Sequence, residues 1–185
     1  NLKGPASGSN ANKVIVPSGH MLAAAGHVVQ VVKAADATET SYSTNNWNQT
    51  PLYVDITPKF GNSKLLVSVA TNVAEANGGA EGVGCKIMRQ VALGTAVNAE
   101  DINTSKYGCH SSTAGSGYDY APNNVAFNIY DSPSYTTGQS IRYTLYVRQH
   151  SSPYPAYYNR GANLDGDYSG RWQTSSTIIV QEIAQ

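Results

Sequence analysis

A chain of 185 residues is long enough for one domain with a substantial core and too short for two. Lysine plus arginine (12) balance aspartate plus glutamate (12), and charged residues make up only 13% of the chain, so both a basic nucleic-acid footprint and an acidic tail are excluded. The polar surface must come instead from Ser, Thr, Asn, Gln, Gly and 13 tyrosines, a palette of virion and extracellular β-proteins and of adaptable binding surfaces.

Residues 1–26 read as an extended N-terminal arm or linker. Asn1 to Asn12 is rich in Gly, Ser, Asn and Ala, and Lys13–Pro17 (KVIVP) is a short apolar strand that needs an added edge, such as one from another copy of the chain. Opening on Asn, the chain is expected to be a processed product or a piece of a longer polypeptide. Met21–Ala25 is too short to span a membrane and lacks the basic flank of a signal peptide, so no membrane insertion is expected.

Past Gly26, which marks a break, a single domain is expected over residues 27–185. His27–Lys33 (HVVQVVK) reads as a strand with valines on both faces, Val28 and Val32 against Val29 and Val31. It is either central and covered or lies at a subunit interface. Ala34–Thr50 reads as an exposed strand or wide loop carrying Tyr42 and Trp47. Leu52–Thr57 and Lys64–Val73 alternate strictly and predict a hairpin closed by Pro58 and Gly61. In Gly82–Gln90, Val83, Cys85, Ile87 and Arg89 share a face, and Gly84 suggests a close backbone approach or a bulge on the other.

Between Val91 and Asn124 the pattern is weak, with short strands expected within Ala96–Ile102 or Lys106–Ser111. Val125–Gln149 then predicts a long-looped hairpin opened by Asp131-Ser132-Pro133. Ile141, Tyr143, Leu145 and Val147 lie on one side of its second strand, with Arg142, Thr144, Tyr146 and Arg148 on the other. Ser151–Gln173 is a Pro/Tyr/Asn/Gly-rich loop, and Ser175–Ile183 is a closing β-branched strand. With no helical period, the expected fold is an all-β antiparallel sandwich, jelly-roll-like.

Several of these stretches, in this order, resemble a β-sandwich module of tailed-bacteriophage structural proteins, of the tail-fibre or tail-associated type met in marine and cyanobacterial phages. They are Val28-Val29-Gln30-Val31-Val32, Ile56-Thr57-Pro58 with Ser63-Lys64, Asp131-Ser132-Pro133, and Ser176-Thr177-Ile178 with Glu182-Ile183. The resemblance implies a virion component, usually a homotrimer and often the distal end of a fibre, with no shared catalytic residues. An N-terminal arm would then reach other virion proteins.

Candidate chemistry is sparse. Cys109 and His110 are adjacent, so in extended backbone they point to opposite faces and cannot form a nucleophile–base pair. Cys85 and Cys109 either pair across adjacent strands or remain buried thiols. Asn163, Asp165 and Asp167 begin a calcium-loop pattern that fails at Tyr168 and Thr174, so no metal or other cofactor is expected. Tyr154, Tyr157, Tyr158 and Trp172, with Asn159 and Arg160, are candidates for binding a host cell-surface glycan. The competing reading packs these rings onto the sandwich or a neighbouring subunit. The chain is therefore expected to be a non-enzymatic virion protein, a tail-fibre distal domain contributing to host attachment. The alternative is a capsid decoration or head-fibre protein with a purely structural role. A glycan hydrolase would need paired carboxylates at an exposed cleft.

Overall fold

Period-two alternation runs through most of the chain, and in the computed structural model the described residues form eleven strands. The structure describes residues 8, 16, 18, 24–75, 82–99, 110–112, 122–149, 155–162 and 173–185. The strands are β1 (Val28–Asp36), β2 (Thr40–Tyr42), β3 (Asn48–Ile56), β4 (Lys64–Glu75), β5 (Val83–Val91), β6 (Val97–Asn98), β7 (His110–Ser112), β8 (Asn123–Asp131), β9 (Ile141–Gln149), β10 (Ala156–Tyr158) and β11 (Ser176–Ile183). All pairings are antiparallel and form two sheets.

In sheet A, β4 is central. One of its edges pairs with β8, and the other pairs with β11 and then β10, which are flanked in turn by β1 and β2. Sheet B runs β3-β9-β5, with β6 and β7 sharing the far edge of β5. Three strands are thus broken in two: β1 with β2, β6 with β7, and β10 with β11. Joining the halves leaves eight strands, numbered in chain order. Sheet A then reads 1-8-3-6 and sheet B 2-7-4-5, the order of a jelly roll. The expected sandwich is present, and its eighth strand is interrupted by an insertion between Tyr158 of β10 and Ser176 of β11, so β10 itself lies inside the Pro/Tyr-rich stretch.

The main apolar faces of the long strands β3, β4, β5, β8, β9 and β11 point between the sheets. Leu65, Val67, Val69, Ile178 and Val180 of sheet A meet Val54, Ile56, Ile87, Ile141 and Leu145 of sheet B, all buried. A fully buried side chain of this size contributes about 1.5–3 kcal/mol, so this layer is the main source of stability. The packing corrects both expected hairpins. β3 lies in sheet B and β4 in sheet A; β8 lies in sheet A and β9 in sheet B. Their connections arch over the core, so the apolar faces meet across it while the edges pair elsewhere. Pro58 and Pro133 sit in arches of several residues, not in the two-residue turns that close tight hairpins.

Other expectations shift by a few residues. Of the two readings of Ala34–Thr50, exposed strand or wide loop, the segment combines both: β1 runs to Asp36, β2 covers Thr40–Tyr42, and β3 begins at Asn48, with short connections between. β6 falls inside the first weak candidate, and β7 overlaps the end of the second. β5 pairs on both edges without a register shift, so Gly84 marks no bulge. The bulges lie in β1, between Val28 and Gln30, and in β3, between Gln49 and Tyr53. In the latter, the Thr50 hydroxyl donates to the Leu145 carbonyl (2.9 Å) and accepts from the Leu52 amide (3.2 Å), replacing lost ladder bonds. Gly26 takes a left-handed φ of 83°, and its amide bonds the Ala184 carbonyl (2.8 Å) as the chain enters β1.

Most motif residues of the phage resemblance gather at one end of the sandwich, while Ser176-Thr177-Ile178 lies at the other end of β11, where Ser176 bonds Asn159. Glu182 is fully buried and accepts four hydrogen bonds. Its Oε1 takes the amides of Lys59 (2.8 Å) and Phe60 (3.1 Å) and the Ser63 hydroxyl (2.6 Å); its Oε2 takes Gln30 Nε2 (2.7 Å). Gln30 also donates to the Thr57 carbonyl (2.8 Å), and Lys64 Nζ donates to the Ser132 hydroxyl (2.8 Å). Tyr135 closes the knot, its hydroxyl donating to the Phe60 carbonyl and accepting the Ser63 amide. Nearby, buried Asp131 of β8 ties the sheets together: it pairs with Arg89 of β5 and accepts the Tyr143 hydroxyl of β9 (2.6 Å). These motifs therefore hold the arches in place.

Burial, reinforced for Tyr143 by the Asp131 charge, pushes the phenols of Tyr143 and Tyr158 far above the usual tyrosine range. Both stay neutral in the fold, whereas in the unfolded chain they ionise near pH 10. Because the folded value is the higher one, their contribution is complete below about pH 10 and is lost as pH rises further. Urea denaturation is expected to show lower stability at about pH 11 than at about pH 8, with Tyr158→Phe narrowing the gap. An unchanged gap in that variant would remove Tyr158 from this account.

Candidate functional site

Four of the six residues proposed from the sequence to bind glycan are described, and all four are buried. β10 lies between β2 and β4, so its side chains serve both faces of sheet A. Tyr158 and Ala156 enter the main core. Tyr157 points the other way, packs with Ala74 and Ala162, and lies under the Arg160 guanidinium, 4.3 Å from its ring centre. Arg160 bridges to Gln173 across the base of the insertion.

Asn159 is an interior staple where two strands are broken. It takes a left-handed φ of 59°, which asparagine tolerates better than most residues. Its side-chain amide donates to the carbonyls of Asp36 (3.0 Å) and Thr38 (3.3 Å), across the gap between β1 and β2. Its Oδ1 accepts the Ser176 hydroxyl (2.6 Å), across the gap between β10 and β11. Its backbone amide bonds the Asn72 carbonyl of β4 (2.8 Å). Tyr158 and Asn159 offer nothing to a sugar, which corrects the expectation for these two: Tyr158 is buried in the core, and Asn159 is taken up by hydrogen bonds within the fold. Tyr157 and Arg160 stack mainly on each other. Tyr154 and Trp172 lie outside the described residues, as do Cys109 and Asn163, Asp165 and Asp167 of the calcium-like pattern.

A different surface brings exposed aromatic and polar groups together: the outer face of sheet B. Its rows follow from the register. Asp55 stands opposite Arg142, which stands opposite Gln90; Tyr53 opposite Thr144 and Met88; Gln49 opposite Tyr146 and Lys86. Asp55 accepts two parallel bonds from Arg142, from Nε and from one terminal nitrogen, each 2.8 Å. Those hydrogen bonds raise the Arg142 pKa above its ordinary value, so the group is always charged. The pinned guanidinium lies 4.1 Å from the centre of the Tyr53 ring, fixing that ring while leaving the residue 44% exposed. The Tyr146 hydroxyl donates to Gln49 Oε1 (3.2 Å), and the Lys86 ammonium sits 4.4 Å from the Trp47 ring centre. Beneath these groups Thr144 is 2% exposed, and its hydroxyl has no hydrogen-bond partner.

The outer face of sheet A has the opposite character. Val31 (56% exposed) and Tyr130 (57%) stand at the two ends of a row through Gln181 and Leu66. Exposed Val28 and half-buried Ile179 and Ile183 extend the apolar surface, interrupted by Lys33 and Lys64. Of the two placements expected for the Val-rich first strand, the central and covered one is not seen: among the described residues β1 is an edge strand with Val28 and Val31 open to solvent, and the subunit-interface placement belongs to the proposal below.

The sequence carried a signal for the sheet B face. Arg142, Thr144 and Tyr146 share the polar parity of β9, and Tyr53 and Asp55 the polar parity of β3. Missing was the pairing of β3 with β9, which sets these side chains beside one another. No protein-family model matches the chain, and a search of curated proteins finds no match.

Proposed function

We propose that this chain is a non-enzymatic structural protein of a tailed-bacteriophage virion, the distal domain of a tail fibre, and that it contributes to host attachment. The observation that carries the reading is the opposed character of the two outer sheet faces: apolar on sheet A, aromatic and polar on sheet B. Exposed apolar surface of this kind marks association, and the low charge of the chain raises no electrostatic barrier to copies of itself. A homotrimer burying the sheet A faces would leave sheet B outward. The phage resemblance supports the same assignment. Most of its motif residues brace the arches of the jelly roll and the rest lie within strands, so what the chain would share with such modules is scaffold.

The reading is tested by adsorption. The purified chain is expected to bind host cells and, at saturation, to slow phage adsorption to them. If it neither binds nor competes, the attachment role fails, and a capsid decoration or head-fibre protein becomes the better description.

A further inference from the structure

We propose that the outer face of sheet B is a carbohydrate-binding platform, with Tyr53 and Tyr146 as the stacking rings and Asp55, Arg142 and Gln49 as the hydroxyl-reading groups. This deepens the attachment reading and rests on it. Flat antiparallel sheet is a firm base for such a site, because each side chain is fixed by its strand register and needs no loop to order it. Tyr53 and Tyr146 occupy diagonal positions on neighbouring strands, about 7–8 Å apart along the backbone. Each ring is held from one side: Tyr53 by the Arg142 guanidinium, Tyr146 through its hydroxyl on Gln49. Pre-fixed rings lose little entropy when a flat apolar sugar face settles on them.

The polar groups suit hydroxyls better than a protein surface. Asp55 and Arg142 form a planar carboxylate–guanidinium unit at the edge of Tyr53 that presents acceptors and donors side by side. Gln49 adds an amide beyond the second ring, and Gln90 another amide opposite Arg142. The more apolar surface, the one suited to association between copies, is the outer face of sheet A. Tyr53, Tyr146 and Trp47 lie instead among Gln, Thr, Asp and Arg.

The test compares binding of the purified chain to intact host cells, to the same cells after periodate oxidation of their surface sugars, and to polysaccharide extracted from them. Wild type is expected to bind cells and extract, and to lose binding on periodate treatment. Tyr53→Ala and Tyr146→Ala are expected to weaken binding to the extract by about tenfold or more each, with Tyr53→Phe retaining most of it because the ring remains. Ser134→Ala, in the exposed arch between β8 and β9 and on neither proposed surface, should change nothing. Matched thermal unfolding shows that the variants remain folded. Cell binding that survives periodate but is lost on protease treatment of the cells leaves attachment standing and overturns the carbohydrate assignment. Extract binding unaffected by both alanine variants overturns the placement on this face. Absence of cell binding overturns the attachment reading itself.

Discussion

Asp131→Ala is expected to destabilise the domain by about 3–5 kcal/mol, the cost of breaking a buried ion pair from one side. Against a typical total of about 5–15 kcal/mol, this moves a large share of the molecules toward the unfolded state. The reason is placement. Asp131 ends β8 on the inward parity set by Val125, Phe127 and Ile129, so its carboxylate points between the sheets. There it meets Arg89, on the inward parity of β5, and the Tyr143 hydroxyl from β9. Removing it strands a guanidinium and a phenol at once. Replacing both charges, with Asp131→Leu and Arg89→Met together, is expected to recover much of the loss, because well-packed apolar groups often equal or exceed a buried pair. Urea denaturation of the single and double variants measures this directly. A double variant no better than Asp131→Ala would show that the pair does more than neutralise itself.

The second large effect is expected at Glu182. Its four donors come from β1, from the arch between β3 and β4, and from the start of β4. Glu182→Ala leaves two backbone amides, a hydroxyl and a glutamine amide without their acceptor, and each such buried group costs about 1–3 kcal/mol. Partial access of water to the arch lowers the sum, so about 3 kcal/mol is expected. Glu182→Gln keeps one acceptor oxygen but sets an NH₂ group against Gln30 or against the arch amides, and should cost less than alanine. Hydrogen exchange gives the local readout: the Lys59 and Phe60 amides should lose protection in Glu182→Ala while β9 amides keep theirs. If Lys59 and Phe60 exchange as in wild type, Glu182 does not anchor the arch.

Both predictions rest on residues whose parity was visible before their partners were. Arg89 falls on the apolar face of its strand, Asp131 continues the inward set of β8, and Glu182 the inward set Ser176, Ile178, Val180. A charge on a core parity implies a buried partner, but alternation alone does not say which strand supplies it. The same ambiguity produced the expected hairpins. A strand with one apolar face looks identical whether its chain neighbour pairs with its edge or faces it across the core. Only the partners β3–β9, β4–β8 and β4–β11, far apart in sequence, decide between these. β10 stayed hidden for another reason. Three residues carry no readable period, and Tyr-Tyr-Asn-Arg beside prolines has the composition of a surface loop. Burial there comes from filling the gap left by two broken strands, a tertiary demand with no local signature.

The proposed recognition surface accordingly lies on a sheet face, not on the insertion. The insertion's described base is scaffold, with Asn159 bonded on three sides. The polar parity of β3 and β9, which reads along the chain as ordinary solvent-facing surface, is where exposed rings and paired polar groups gather.

The proposed function makes one claim that position on the particle decides. Gold-labelled antibody raised against the purified chain, applied to intact virions and viewed by electron microscopy, is expected to mark the distal ends of the tail fibres. Label distributed over the capsid, with bare fibre tips, would contradict the account.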